Sequence, residues 1–569
     1  MSLGGAFQIG RSALAAYQAA LSIAGQNIAN LGNPNYTRQS GRLSALNGGP
    51  IYGYVRPGAG VQMDRLTRHI DEALEARLRL SLGSQAAANV VYSALSQTEA
   101  AYNELTEEDV STQLSQFFAE FSNLETAPQD SGARNLILAN ADTLIRSITR
   151  IRSGLVSQIS DLNDQAAAAA EHAGTLTSEI ASLNELIVRQ ESDGVTVASA
   201  LRDRRDALLR ELGELMDIQV REQDTGAISV YVGSEPLVEF DRSRGPIVET
   251  VLENGTELAS IRFDDTHGNV ILRDGKLFGL LQARDDYLTD QIDRFDTLAR
   301  GLIYEVNRLH SSGAGLVGYE QLTGEYPVFD PDAALNTDAA GLPFPLENGT
   351  FIVHVRDRAT GAEITRQIEV DLDGLGGDDT TLSSLAASLN DVPGLTASVT
   401  SDNRLEIQAA SGREMWFSED SSGALAALGV ATFFSGQDAS DIAIRDEIRN
   451  DPRLIAASLS GSLNDGGNAG RIANLARSQS TSPLLGNRSI PDYHESIIAD
   501  LAVEASAALT DQEAADTVYN SLVAQREAIS GVSLDEEAIN LTKYETAYQG
   551  AARYLSVVDA LTDEIMALL

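Results

Sequence analysis

Apolar residues near the C-terminal end of the chain recur every three or four positions. Ser533 and Glu536 match the capping box that starts many helices, so we predict that a helix begins there. An apolar repeat of about 3.5 residues forms one stripe along a helix, which is typical of a helix that packs against another helix. The stripe consists of Leu541, Tyr544, Tyr548, Ala551, Leu555, Val558, Thr562, Ile565 and Leu569, all of them apolar except Thr562.

A second stripe with the same spacing lies at the opposite end of the chain. The two stripes predict a pair of helices, coiled-coil-like, formed by the two ends of the chain, with all other residues inserted between them. The spacing is equally consistent with two ordinary amphipathic helices, each packed on a globular core. The N-terminal stripe consists of Leu14, Tyr17, Leu21, Ala24, Ile28 and Leu31.

The residues between the two ends change pattern several times. Helix is predicted from Thr67, with breaks, to about Gln190, and a short extended piece is predicted before it at residues 51–55. Apolar residues alternate with polar ones after Met216, which predicts β hairpins near residues 218–275. Helix returns at about 288–309, and a last helix is predicted at 497–529.

Residues 315–440 have a different composition, with frequent Gly, Pro, Asp and Thr. Five short strands and one short helix are predicted there. We therefore predict an α+β multidomain protein with three parts. The parts are a terminal helical rod (1–60 with 531–569), a long-helix bundle with a small β element (61–314 with 441–530), and an inserted β-rich outer domain (315–440).

The charge of the chain limits its partners. The 569 residues carry 82 acidic and 41 basic side chains, a net charge of -41, and the only lysines are Lys276 and Lys543. Such a charge repels nucleic acid and anionic membranes, so we expect neither as a partner. The longest apolar run, residues 424–434, is far shorter than the ~20 residues of a membrane span, so no membrane insertion is expected. No secretory signal is predicted either.

The motifs that usually carry catalysis or bind metal are incomplete in this sequence. Cysteine is absent, which excludes disulfides, thiolate nucleophiles and Cys-ligated metals. His494-Glu495 begins like a metalloprotease motif, but Ile498 occupies the position of the second histidine. Asp371-Leu-Asp373 begins like a calcium loop, but Leu382 stands where the glutamate is required, which favours a plain acidic turn. We therefore predict no enzyme activity, no cofactor and no metal.

Several stretches resemble the axial proteins of the bacterial flagellum. Residues 26–30 read Gln-Asn-Ile-Ala-Asn, and residues 33–39 read Asn-Pro-Asn-Tyr-Thr-Arg-Gln. The Tyr-x-Arg-Gln ending is similar to the hook-associated proteins of the first hook–filament junction rather than to hook or rod proteins. Residues 530–537, 203–209, 279–285 and 306–310 resemble the same group, in the expected order along nearly the whole chain.

One position departs from the family pattern. The usual Thr-Pro-Gly-Tyr turn is here Asn33-Pro34-Asn35-Tyr36. Asparagine tolerates positive φ better than most residues after glycine, so we expect the turn to survive.

The resemblance implies a structural role at the junction of hook and filament. It implies an extracellular protein that leaves the cell unfolded through the flagellar type III apparatus and folds on assembly. The implied partners are the hook protein, the second hook–filament junction protein, copies of the same chain, and an export chaperone at the C-terminal helix. The residues expected to pack in the rod or hold the turn are Leu14, Tyr17, Leu21, Asn27, Ile28, Asn30, Tyr36, Arg38, Leu541, Tyr544, Tyr548, Leu555, Val558 and Ile565.

Two alternatives stay open at this point. The chain could be another axial subunit such as the hook protein, although the Tyr-x-Arg-Gln ending and the long helical segment from Ser131 argue against this. A secreted enzyme carried on an axial scaffold would need a catalytic constellation in residues 315–440, and the sequence shows none.

Overall fold

The computed structural model of the chain describes residues 3–46, 58–102, 109–192, 197–253 and 256–568. The extended piece predicted at 51–55 lies outside them. Long helices and small sheets make up the described residues, which confirms the predicted α+β class. The helices are α1 (Leu3–Ala29), α2 (Glu72–Tyr102), α3 (Val110–Thr126), α4 (Ser131–Gln190), α5 (Ser199–Leu215), α6 (Lys276–Gln282), α7 (Thr289–His310), α8 (Leu382–Asn390), α9 (Ala424–Ala427), α10 (Asp446–Asn450), α11 (Gly467–Ala473), α12 (Ile490–Ser530) and α13 (Leu534–Leu568).

The strands pair only in antiparallel fashion within the described ranges. They form six small sheets, with the orders β1-β2, β3-β4-β5-β6, β7-β8, β11-β10-β14, β12-β13-β9 and β15-β16. The strands are β1 (Gln39–Leu46), β2 (Gly60–Arg68), β3 (Ile218–Glu222), β4 (Ile228–Val232), β5 (Glu235–Glu239), β6 (Arg242–Ser243), β7 (Ile247–Glu253), β8 (Thr256–Arg262), β9 (Gln321–Thr323), β10 (Gly349–Asp357), β11 (Glu363–Val370), β12 (Leu395–Val399), β13 (Leu405–Ala409), β14 (Arg413–Ser418), β15 (Phe434–Ser435) and β16 (Ala443–Ile444).

The helices predicted from periodicity are present. The α4 helix is 60 residues long, and its heptad residues Ile137, Leu144 and Ile151 are at most 2% exposed. A long narrow stripe is buried in this way when a helix packs along its length against other helices. The five strands predicted between residues 352 and 417 are present too, together with the short helix at 382–390.

One helical prediction was wrong at its start. Thr67 belongs to strand β2, and the helix begins only at Glu72. Strands β1 and β2 pair with each other as a hairpin, which the sequence did not reveal. The two strands contain few β-branched residues and no aromatic ones, so their intrinsic strand signal is weak.

The chain forms two compact units. The first consists of Met1–Ala94, Asp161–Arg284 and Ala507–Leu569, and the second of Leu95–Ser160 and Asp285–Ser506. The predicted three-part domain division stays a prediction.

In the first unit, one buried amide joins the four-stranded sheet to α4. Asn184 is fully buried, and its Nδ2 donates to the carbonyl oxygens of Ile228 (2.8 Å) and Phe240 (2.6 Å). Its Oδ1 accepts from the backbone N–H of Ile228 at 3.1 Å. A buried amide saturated in this way fixes the position of the sheet on the helix.

The second unit is built around α7. Asn307 and His310 on this helix are each 1% exposed, and both bond to backbone groups of residues 431–456. The Asn307 Oδ1 accepts from the N–H groups of Phe433 and Phe434. Both rings pack at a tilt against Phe117 of α3, and the Phe433 ring also packs edge-on against Phe121. The segment around Phe433 and Phe434 therefore shares one aromatic core with α3.

Candidate functional site: the terminal helix pair and its turn

The two ends of the chain pack against each other as α1 and α13. A Cβ placed on Gly10 would lie 2.6 Å from Leu555 Cγ, and Ala20, Ala24 and Tyr544 line one small pocket between the helices. Residues early in α1 therefore contact residues late in α13, and residues late in α1 lie beside residues early in α13. The two helices are antiparallel. Helix α1 also contacts both strands of the β1–β2 hairpin.

The most buried face of α1 is made of small residues. Ala16, Ala20, Ala24 and Asn27 are at most 3% exposed. The large apolar residues of the predicted stripe, Leu14, Tyr17, Leu21 and Ile28, are half-buried, and Leu31 is 47% exposed. Small residues allow the backbone of α1 to approach α13 and the hairpin closely, which leaves the larger side chains at the edge of the contact.

On α13 the predicted stripe is buried in its middle part, and Tyr544 and Leu555 of the stripe lie next to α1. Val558 is 5% exposed, and Tyr544, Tyr548 and Leu555 are half-buried. The stripe is open at both ends, because Leu541 is 37% and Ile565 is 42% exposed.

A second row of apolar residues on α13 has no cover in the described residues. Tyr554, Val557, Leu561 and Ile565 follow one another at spacings of three, four and four, and they are 39–57% exposed. At this spacing the four side chains share one helix face. Exposed contiguous apolar surface of this kind marks interaction sites in soluble proteins.

The turn after α1 is organised by Asn27. Its Nδ2 donates to the Gln39 carbonyl oxygen (2.8 Å), and its Oδ1 accepts from the Gln39 N–H (3.1 Å) and the Tyr36 hydroxyl (2.7 Å). Asn27 thus acts as a peptide-like bridge between the end of α1 and the start of β1. Burial, with smaller contributions from Asp203 and Glu537, raises the pKa of Tyr36 to about 12, so the hydroxyl stays protonated and donates.

Asn30 and Asn35 act locally at the same turn. Asn30 Nδ2 donates back to the Gln26 carbonyl oxygen at 2.9 Å. Asn35, which replaces the usual glycine of the family, does not have a positive φ among the described residues. Its side-chain oxygen instead accepts from Arg210 Nη2 at 2.8 Å, a contact that glycine lacks.

Arg38 connects the turn to the start of α13. Its Nε lies 2.9 Å from Glu537 Oε1, and its Nη1 lies 2.7 Å from Glu536 Oε2. The Glu537 side chain is 3% exposed, whereas that of Glu536 is 59% exposed. The Arg38 N–H also donates to the Ser530 carbonyl oxygen at 3.0 Å, at the end of α12.

Further ion pairs hold the same region, and sequence reasoning did not assign them this role. Arg68 at the end of β2 bonds to Asp203 (2.6 Å) and to Asp206 on α5. Burial raises the pKa of Asp203 despite this pair. Glu75 on α2 accepts from Arg210 and Arg526, at 3.3 and 2.7 Å. Residues 203–209 were noted only as a family-like stretch, and nothing in the sequence linked them to Arg68 or Glu75, more than a hundred residues away.

Three acidic side chains of the calcium-like stretch lie close together. Asp371, Asp373 and Asp379 place carboxylate oxygens within 4.8 Å of one another. Backbone N–H groups of Gly374 and Leu375 donate to two of these carboxylates, as in an ordinary acidic turn. In the part of the chain that the structure describes, no helix is both long and apolar enough to cross a bilayer.

Comparisons with known proteins agree with the resemblance. Residues 95–325 match the family model described as the flagellar hook-associated protein FlgK helical domain. The chain is 24% identical to flagellar hook-associated protein 1 of Escherichia coli over 98% of both chains, and equally to that of Salmonella typhimurium. It is 35% identical to the Bacillus subtilis protein of the same name, over 20% of this chain and 22% of that one.

A solved structure shares the fold. The flagellar hook junction protein FlgK from Burkholderia pseudomallei matches with a TM-score of 0.53 and 13% identity, over 80% of this chain and all of that one. The long helices and small sheets are thus a fold shared with a flagellar hook junction protein. Over nearly its whole length the chain is similar to flagellar hook-associated protein 1, and residues 95–325 match the helical domain of that protein.

Proposed function

We propose that this chain is a structural subunit that joins the hook of the bacterial flagellum to its filament. The observation that carries the proposal is the similarity to flagellar hook-associated protein 1 over 98% of both chains. The apolar row on α13 supports it, because a soluble subunit with an uncovered row of this kind gains stability when a neighbour buries it.

The role as a subunit requires neighbours. We propose the hook protein, the second hook–filament junction protein and copies of this chain as neighbours in the flagellum. Export through the type III apparatus, with folding on assembly and a chaperone at the C-terminal helix, belongs to the same proposal. Helices in proteins owe most of their stability to the packing of an amphipathic face, which supports ordering of α1 and α13 on assembly.

The proposal includes no catalytic step. The most buried polar residues of the terminal pair and its turn are engaged in hydrogen bonds or ion pairs that join segments of the chain.

The three-part division predicted from the sequence remains part of the proposal, with residues 315–440 as the outer domain. We also propose which residues act in the rod and in the turn. Asn27, Asn30, Tyr36 and Arg38 hold the turn. The residues that pack in the rod are Leu14, Tyr17, Leu21, Ile28, Leu541, Tyr544, Tyr548, Leu555, Val558 and Ile565.

Immunogold electron microscopy of intact flagella tests the location directly. Antibody raised against residues 315–440 is expected to give a single band of gold at the hook–filament boundary. Label along the whole hook or filament would make the chain a bulk axial subunit. An unlabelled organelle would refute the proposal.

A substitution in the terminal pair tests the packing role. Leu555→Asp places a charge against Gly10 of α1 and is expected to abolish incorporation into flagella while the second unit stays folded. Ser556→Asp adds the same charge at the adjacent exposed position and is the matched control. Normal filaments with Leu555→Asp would contradict the packing role.

A further inference from the structure

One face of the β11-β10-β14 sheet brings together a serine, a histidine and a glutamate. His354 lies on the central strand β10, Glu363 on β11 and Ser418 at the end of β14. His354 pairs in register with Thr365 and Trp416, so the glutamate and the serine are each two positions away from the residue directly opposite it. Diagonal neighbours of this kind share one face of a sheet and are within reach of each other. The fold thus gathers three polar side chains within residues 315–440 whose spacing along the sequence carried no signal.

The hydrogen bonds use the two ring nitrogens of His354 in the order that nucleophilic catalysis requires. His354 Nε2 lies 2.8 Å from Ser418 Oγ, and His354 Nδ1 lies 2.7 Å from Glu363 Oε1. Thr365 Oγ1 is a longer contact of the same Nδ1, at 3.3 Å. When Nδ1–H donates to the carboxylate, Nε2 is left to accept the serine proton. A serine, a histidine and a carboxylate joined through these two nitrogens form the triad of serine hydrolases, which is recognised by geometry and not by sequence order.

Stacking holds the His354 ring in one orientation. The imidazole lies parallel to the indole of Trp416, with an angle of 2° between the planes and 5.0 Å between the ring centroids. Trp416 is 2% exposed, and the Arg356 guanidinium lies 4.8 Å from its ring centroid. A base that is held in place needs little further ordering before proton transfer. The side chains of His354 and Glu363 are 15% and 37% exposed, so the face is open to solvent.

The backbone after Ser418 has a conformation suited to presenting the serine. Glu419 has a φ of 52°, in the left-handed region that residues other than glycine rarely adopt. Sparsely populated backbone conformations of this kind cluster at functional sites. Glu419 is exposed, and its N–H has no hydrogen-bond acceptor among the described residues. In hydrolases whose serine ends a strand, the N–H of the next residue stabilises the negative oxygen of the tetrahedral intermediate.

A second serine–histidine pair in the chain shows what is particular about this one. Ser40 Oγ lies 2.9 Å from His69 Nε2, which is nearly the distance between Ser418 and His354. His69 Nδ1 has no carboxylate partner in the part of the chain that the structure describes. Without a carboxylate, neither the tautomer of the ring nor the imidazolium that forms on proton transfer is stabilised. Ser40 therefore provides a matched comparison within the same chain.

We propose that Ser418, His354 and Glu363 form a hydrolytic site for short-chain carboxylic esters, with Ser418 as the nucleophile. Ser418 Oγ attacks the ester carbonyl carbon while its proton moves to His354 Nε2. The bond from this carbon to the alcohol oxygen then breaks, and the alcohol leaves with the proton from His354. Water attacks the acyl-serine in the same way, His354 again takes and returns a proton, and the carboxylic acid is released. The Glu363 carboxylate stabilises the imidazolium in both steps.

The surroundings of Ser418 define the substrate class. Ser418 is 5% exposed, and Ile352 stands directly opposite it on β10. A long acyl chain needs a deep apolar cleft to bury it, and the flat face of a sheet does not form one. We therefore assign a short acyl group such as acetyl, with the alcohol part of the ester extending into solvent.

Covalent labelling of the full chain tests the nucleophile. A fluorophosphonate reacts with an activated serine by forming an oxygen–phosphorus bond and releasing fluoride, and peptide mass spectrometry locates the label. We expect label on Ser418 and none on Ser40. His354→Gln is expected to slow labelling of Ser418 about 100-fold or more, because a general base contributes roughly that factor. Glu363→Gln is expected to slow it at least tenfold.

Hydrolysis of para-nitrophenyl acetate tests turnover. We expect Ser418→Ala and His354→Gln to lower kcat/KM about 100-fold or more, whereas Ser40→Ala leaves it unchanged. The chain has a single tryptophan, Trp416, so unchanged fluorescence in Ser418→Ala and Glu363→Gln shows that the sheet is intact. If His354→Gln fails to fold, the tenfold effect of Glu363→Gln on labelling decides the same question.

An unlabelled Ser418 would overturn the proposal, and so would labelling that proceeds equally fast in Glu363→Gln. Equal loss of hydrolysis in Ser40→Ala and Ser418→Ala would also overturn it. The site goes beyond the proposed junction role and does not rest on it. Gold at the hook–filament boundary together with an unlabelled Ser418 would refute the hydrolytic site and leave the proposed function standing.

Discussion

The ion pair between Arg38 and Glu537 is expected to be the strongest single link between the turn and α13. The Glu537 carboxylate is 3% exposed and lies 2.9 Å from Arg38 Nε. Arg38→Met keeps the length of the side chain but leaves this carboxylate buried without its cation. Removing one partner of a buried pair costs about 3–5 kcal/mol, and because Arg38 is itself 21% exposed we expect about 2–3 kcal/mol.

Glu536 provides the matched control on the same arginine. It lies 2.7 Å from Arg38 Nη1 but is 59% exposed, so water already competes for its charge. Exposed ion pairs contribute about 0–1 kcal/mol, and Glu536→Gln is expected to fall in this range. Two contacts of nearly equal length are thus predicted to differ severalfold in energy because their burial differs.

Hydrogen exchange followed by mass spectrometry measures the effect at the site itself. At about 1.4 kcal/mol per tenfold change, Arg38→Met should speed exchange in the first turns of α13 roughly 30- to 150-fold. The double variant Arg38→Met/Glu537→Gln removes both charges and should recover most of the loss. Equal exchange in Arg38→Met and Glu536→Gln would refute the reasoning from burial.

Three further predictions concern the turn, the core of the second unit and α13. Asn27→Ala leaves the Gln39 backbone groups unsatisfied and should cost about 2–3 kcal/mol by hydrogen exchange, against about 1 kcal/mol for Tyr36→Phe. Burial lowers the pKa of His310 to about 4 from 6.5, so the stability that depends on its neutral form is complete above pH 6.5 and falls by up to about 3 kcal/mol as pH decreases towards 4. Urea unfolding of His310→Gln should lose this part of the pH dependence and keep the part due to His494, whose pKa burial also lowers to about 4. Val558→Ala should destabilise the terminal pair by about 2 kcal/mol, whereas Val557→Ala, at a 57% exposed position, should change it by less than about 0.5 kcal/mol and instead reduce incorporation into flagella.

Periodicity predicted the helices and strands whose side chains bury in a regular order. The heptads of α4 were predicted correctly because each buried residue lies one period from the next. Strands β10 and β14 were predicted as short strands, and β10 buries every second residue whereas β14 buries five residues in a row. The β1–β2 hairpin was missed, because its strands contain few residues with strand propensity and are stabilised by contact with α1.

The candidate site was likewise predicted only in part from the sequence. Asn27, Tyr36 and Arg38 were selected from a family-like motif, and the structure brings them together with Gln39 and Glu537. The hydrogen-bond partner of each side chain could not be predicted from the sequence, because partners depend on the three-dimensional path of the chain and not on the spacing of residues along it. The face of α1 illustrates this: the large stripe residues were predicted to pack, but alanines are the most buried residues.

The sequence by itself determined the helical ends and the order of helical and β-rich stretches, because these depend on local composition and on periods of two or three to four residues. The tertiary structure alone decided which faces of α1 and α13 meet, that Arg68 pairs with Asp203, and that Arg42 stands opposite Arg65. Those contacts join residues distant in sequence or set by strand register. A register shift of one residue reverses the face of a strand side chain without changing composition, and no local pattern specifies it.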